Sequence, residues 1–204
     1  MLKFMKLYAL EIYTVITMLL IVLVAIFMPQ LTVIQSFTVF FSFLYILHEW
    51  EEGRYPGGFL DLIQANILQM ELDKETKLGS RIITGVFLLV FSLVPFFWGD
   101  AIPMFALAMA TFCIFEGCIH IAGIKLLRTG KPYTPGMVTA EIEAVTAIAL
   151  VVYIAVNHLA AWYDYVCAPF VFLACFACMQ RALMATIGLR YKDMGAKMRQ
   201  RLGK

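Results

Sequence analysis

The run AIPMFALAMATFCIFEGCIHIAGIKLL at residues 101–127 is long enough to cross a bilayer, and it carries Glu116 and His120 inside its apolar length. Crossing the hydrocarbon takes about 20 residues of helix at about 1.5 Å each. Backbone groups in lipid must be satisfied within the segment, so the run is a helix; a barrel would show short alternating strands. Comparable runs lie at Leu10–Phe27, Leu31–His48, Ile82–Trp98, Val138–Val156 and Trp162–Leu189, punctuated by Pro29, Trp98-Gly99-Asp100 and Asn157-His158. The expected fold is all-α: a polytopic membrane helix bundle of about six transmembrane helices, forming a single membrane domain over residues 1–204.

Composition agrees with this reading. Charged residues make up 15% and hydrophobic residues 62% of the chain, and mean hydropathy is +0.85. Soluble domains carry roughly a quarter charged residues. The net charge of +2 is small, and the basic residues sit between apolar runs rather than in one patch; nucleic acid is therefore not an expected partner. The first run exceeds the core of a signal peptide and lacks a small-x-small cleavage site, so it reads as a retained helix. All five cysteines lie in apolar segments, where a thiol behaves as a small hydrophobe, and no disulfide framework is expected.

The cations report orientation. With the N-terminus inside, the inner segments hold Lys3 and Lys6, then Arg54 to Arg81, then Lys125 to Lys131, then Arg181 to Lys204. All 16 Lys and Arg residues fall there, and the outer turns have none. The positive-inside rule therefore places both termini in the cytoplasm. The connection at about 53–79 has Phe59, Ile63, Ile67 and Met70 at near-helical spacing, which predicts an amphipathic segment along the inner surface. The basic tail at about 190–204 reads as a juxtamembrane anchor on anionic lipid.

Ionisable residues in a bilayer need a partner or a wet cavity. In His48-Glu49-Trp50-Glu51-Glu52, Glu52 lies roughly 40° and Glu51 roughly 60° from His48 around a helix, so these three share a face while Glu49 turns away. Glu116 and His120, at i and i+4, share another. Counting back from Arg128 puts His120 about 12 Å deep, in the same half as His48. The fifth helix brings Glu141 and Glu143 to that level. These are about 200° apart, and Glu143 is favoured because it shares its face with Gly136, Thr139, Ala140 and Ala147, a small-residue packing stripe. Arg181 in the last helix reaches comparable depth and is a candidate to balance a surplus carboxylate or bind an anionic substrate.

Two histidines with several inward carboxylates form the ligand set that helical bundles use for di-iron or di-manganese sites, and a subset suits one zinc. The candidate metal ligands are His48, Glu52, Glu116, His120 and Glu143; the candidate catalytic groups are Glu51, Glu52 and Arg181. A salt-bridged structural network and a proton or ion pathway are the competing readings.

His48-Glu49-Trp50-Glu51-Glu52 resembles the His-x-x-Glu-Glu signature of the HXXEE family of small bacterial membrane proteins. Glu116-x-x-x-His120 and Tyr133-x-Pro135-Gly136-x-x-Thr139-Ala140 look like its companion segments. The resemblance runs from the second helix to the fifth, and implies a bacterial inner membrane location and a shared site at His48, Glu51 and Glu52 without naming a reaction. The expectation is a divalent metal (zinc, iron or manganese, mononuclear or dinuclear) in an enzyme facing the cytoplasm. A membrane lipid is the natural substrate, hydrolysis stands slightly ahead of oxidation, and a proton- or ion-coupled transporter is the alternative. Oligomeric state is not legible.

Overall fold

Polar caps, rather than the ends of apolar runs, mark where the helices Val33–Gly53 and Lys74–Trp98 begin. The computed structural model describes residues 2–68, 70–127 and 129–188. Among these, every regular element is helical: α1 Leu2–Leu7, α2 Ala9–Phe27, α3 Val33–Gly53, α4 Phe59–Ile63 with a π-helical turn Gln64–Leu68, α5 Lys74–Trp98, α6 Pro103–Leu126, α7 Met137–Val156 and α8 Trp162–Ile187. Thr32 opens α3 with a capping box, its hydroxyl accepting from Gln35 N while Gln35 accepts from Thr32 N. Asp73 opens α5 by accepting from Thr76 N at 2.7 Å. Pro103 stands at the first turn of α6, where its missing N–H leaves nothing unsatisfied.

Two boundaries differ from the hydropathy reading. Helix α3 runs past His48 to Gly53, so the whole His48–Glu52 segment is helical. Arg81 of α5 donates to the Gly53 carbonyl at 2.9 Å and satisfies one of the orphan acceptors at that end. Helix α5 begins at Lys74, about two turns before the apolar run. Apolar runs mark depth in hydrocarbon, whereas helices extend beyond it. As a result the expected connection at 53–79 divides into the short α4 and its π turn, followed by the charged first turns of α5; Asp61 and Lys77 tie the two at 2.6 Å. The basic tail at 190–204 lies outside the described residues.

Among the described residues five helices (α2, α5, α6, α7 and α8) are long and apolar enough to cross a membrane. Helix α3, at 21 residues, matches them in length but not in apolarity because of its polar end. It is packed among α2, α5 and α7, while α6 packs on α5, α7 and α8. The core is built from Phe41, Tyr45, Ala106, Met109, Ala110, Cys113, Leu150 and Ile154. Outward faces are strongly apolar, with Val15, Phe27, Val145, Val156, Trp162 and Phe170 all exposed. So large an apolar surface on the outside suits lipid rather than water.

Helices α6 and α7 approach very closely. A Cβ on Gly117 would meet Ala144 Cβ at 2.9 Å, and Ala140 and Ala147 are fully buried. Small residues let backbones approach where lipid supplies no hydrophobic drive between helices. Gly117→Val should therefore wedge the pair apart and destabilise the fold by about 1–3 kcal/mol. A lowered thermal midpoint in detergent would show this, with the lipid-facing substitution Val145→Leu as the unchanged control.

Candidate metal centre

Three helices and one loop bring the ionisable residues together. His48 and Glu52 stand one turn apart on α3, Glu116 and His120 one turn apart on α6, and the Tyr133–Gly136 segment leads into α7 between them. Candidate ligand atoms of His48, Glu116 and His120 all lie within 4.8 Å of one another. Glu52 Oε1 is 3.5 Å from His48 Nε2 and 3.3 Å from His120 Nε2, and Glu116 Oε2 is 3.9 Å from the same His120 nitrogen. Ligands about 2.0–2.2 Å from a tetrahedral ion stand roughly 3.4 Å apart. The spacing therefore fits a shared divalent ion after small adjustments. The imidazoles meet edge to face at 5.2 Å, and the Phe59 ring from α4 lies 4.9 Å from His120.

The histidine tautomers follow from their threonine partners. Thr134 gives its hydroxyl proton to the His120 carbonyl, so its oxygen accepts from His120 Nδ1–H at 3.1 Å. Thr139 gives its proton to Glu51 Oε2 at 2.6 Å, the shorter of its two acceptor contacts, and accepts from His48 Nδ1–H at 3.0 Å. Each Nδ1 thus carries hydrogen, and each Nε2 faces the carboxylates, where it either donates as an imidazolium or offers a lone pair to a cation. His120 Nε2 is buried without a hydrogen-bond partner among the described residues. A ring nitrogen facing carboxylate oxygens is satisfied either by its own proton or by a cation bound between them. Donation from Nδ1 to a second group is also how metal-binding histidines are oriented.

Glu51 plays a different part. Its two oxygens accept from Tyr133 OH (2.8 Å), Val138 N (3.1 Å), Thr139 N (2.9 Å) and the Thr139 hydroxyl. These four donors match the lone-pair capacity of a carboxylate. Gly136, the residue at the N-cap of α7, has no side chain to offer, so Glu51 caps that helix from α3. Burial and the adjacent Glu51 carboxylate push the Tyr133 phenol up to about 12, which keeps it a donor at neutral pH.

The remaining expected residues separate. Glu143 is fully buried on α7, and neither oxygen has a hydrogen-bond partner among the described residues; His48 is its strongest electrostatic neighbour. Glu141 instead lies beside Gly117 on α6. Glu49 turns away from the cluster toward Thr84 and Arg81 of α5. Arg181 is not brought to the cluster: it sits on the exposed face of α8 and makes no ion pair among the described residues. Helical phase explains this, since Asp164, Ala168 and Phe172 mark the buried face and Arg181 lies about 180° from Phe172. Sequence reasoning gave no place in the site to Thr134, Thr139, Phe59 or Arg81, reading Thr139 as part of a packing stripe and Phe59 as part of the amphipathic connection. The first two flank Gly136 within the quoted Tyr133–Ala140 segment, but hydrogen-bond partners of Nδ1 carry no spacing rule of their own.

The arrangement defines a polytopic helical bundle with a buried histidine and carboxylate cluster. Residues 39–154 match the family model described as a protein of unknown function with HXXEE motif, and the chain belongs to that family. The matched segment contains His48, Glu51, Glu52, Glu116, His120 and Glu143, and leaves out Arg181. No curated protein and no solved structure shows significant similarity to the chain.

Gly136 is the tightest point of the site. Its φ is +92°, and a Cβ there would meet Glu52 Cγ at 2.6 Å, His120 Cε1 at 2.7 Å and His48 Cε1 at 3.0 Å. Backbone conformation and space both require glycine. Gly136→Ala should abolish metal uptake, and Thr139→Val, which removes the Nδ1 partner of His48, should weaken it by about 10–100-fold. Titration of purified protein with zinc or manganese against a competing chelator measures both.

Proposed function

We propose that this chain is a metal-dependent integral membrane enzyme, with the ion held by His48, Glu116 and His120, whose ligand atoms lie within 4.8 Å of one another. The observation that carries the reading is the pair of threonine-anchored imidazoles whose Nε2 atoms converge on carboxylate oxygens. Fully buried Glu143 is the nearest reserve ligand and the natural place for a second ion.

The bound ion would supply Lewis acidity toward an ester, amide or phosphodiester or, if iron or manganese, the redox capacity to oxidise an acyl chain. The protein's own groups divide the remaining work. Glu51, with every acceptor position used, positions α7 and, through Thr139, His48. Glu52, whose side chain is 21% exposed, is the carboxylate open enough to take a proton from water at Oε1. Hydrolysis stands slightly ahead of oxidation because the sequence carries no motif for an electron-donating cofactor. An apolar exterior around a buried polar site suits a lipid or another membrane-embedded substrate.

Orientation follows from charge. The cluster is built on segments that border the Lys- and Arg-bearing stretches of the sequence, so we assign its side of the membrane, and both termini, to the cytoplasm. A bacterial inner membrane is the expected setting. Proton or ion transport through the same cluster is the second reading, and the unpartnered carboxylate of Glu143 is the observation that favours it.

Elemental analysis of protein purified without chelators should find about one or two divalent ions per chain, and almost none in the His48→Ala/His120→Ala double variant. Metal content near zero in the wild type overturns the enzyme reading. Proton flux in liposomes that disappears in Glu116→Gln would move the assignment to transport. For topology, a reporter that is active only outside the cytoplasm should work when inserted at Asn157 and stay silent when inserted at Lys131; the reverse pattern refutes the orientation.

A further inference from the structure

A second site lies at the same end of the bundle, between the α1/α2 segment and α5. It is a cleft of about 130 Å³ walled by Ala9, Tyr13, Ile16, Gly85 and Leu89, with Arg81 as its one charged lining residue. The cleft exists because residue 85 has no side chain: a Cβ there would stand 3.3 Å from the Tyr13 ring. Dry apolar space of this order takes an apolar group in preference to water. Ile16 and Val86, at 41% and 56% exposure, leave it open to the lipid side.

The charge at its mouth points to the ligand. Neighbouring cations are paired with acids: Lys6 with Glu75, Arg54 with Glu11 and Lys77 with Asp61. Arg81 has no ion pair within 4 Å among the described residues. Its guanidinium packs against Gly53 of α3 and donates to that neutral carbonyl, with Glu49 as its acidic neighbour on the same side, which leaves its other N–H groups for a ligand. A guanidinium has five N–H donors in a fixed fork that matches phosphate oxygens. Gly85 and Leu89 continue the same face one and two turns further along α5, toward mid-membrane.

We propose that this cleft binds a phospholipid, its phosphate on Arg81 and one acyl chain along Tyr13, Gly85 and Leu89. The assignment is independent of the metal centre. It is tested with the full chain in detergent, by native mass spectrometry with dioleoyl phosphatidylglycerol and with dioleoylglycerol, which has the same chains and no phosphate. The phospholipid should be retained as a one-to-one complex about tenfold better than the diacylglycerol. Arg81→Gln should erase that preference. Ile16→Trp, which fills the cleft from its exposed rim, should lower phospholipid retention while helicity by circular dichroism stays unchanged. Equal retention of the two lipids by the wild type, or phospholipid retention unchanged in Ile16→Trp, overturns the proposal.

Discussion

The Glu51 carboxylate is the contact on which the site depends. It leaves α3, crosses to the start of α7, and accepts two backbone N–H groups that the helix cannot satisfy internally. Burying an ionised carboxylate without compensation is prohibitive. Here four donors and the positive end of the α7 dipole offset that cost. Charge-assisted bonds of this kind are short and roughly twice as strong as neutral ones, and the 2.6 Å contact with Thr139 is of that type. The same threonine holds His48 Nδ1, so one side chain sets the α3–α7 register and aims an imidazole. The Glu-Glu pair in the motif is thus divided: the first carboxylate builds the frame and the second faces the histidines.

Packing supports what Glu51 begins. Gly117 and Gly123 flank His120 on α6, and the would-be Cβ positions meet Ala144 and Thr134. With small residues on this face, α7 and its leading loop come close enough for Thr134 and Thr139 to reach two imidazoles from one turn of chain. Phe59 closes the remaining side of His120 from α4. The histidines are accordingly 0% and 8% exposed in their side chains, while Glu52 and Glu116 keep 21% and 17%. Exposure therefore lies with the carboxylates, and approach to the cluster is from their side.

Much of this was legible in the chain. Hydropathy located the long helices, and helical angles put His48, Glu51 and Glu52 on one face with Glu49 turned away. Helix ends were less legible because a cap such as Asp73 acts through one hydrogen bond and leaves no trace in average hydropathy. Glu51 and Glu52 looked alike in sequence, and only the position of α7 separates a helix cap from a candidate ligand. Arg181 had the right depth but the wrong rotation, since depth follows from counting residues while rotation depends on which neighbours a helix meets.

The polar end of α3 also bears on how the protein is made. Among the described residues five helices are long and apolar enough to cross a membrane, whereas α3 carries four ionisable residues in its last two turns. Their partners are distant in the chain: Thr139 follows Glu51 by 88 residues. While α6 and α7 are still unsynthesised, His48 and Glu52 have only each other and Glu51 lacks its four donors, which favours that end staying in the headgroup region. Full seating of α3 therefore depends on α7, whose free N–H groups Glu51 caps, and the centre is complete only in a chain that has its later helices in place.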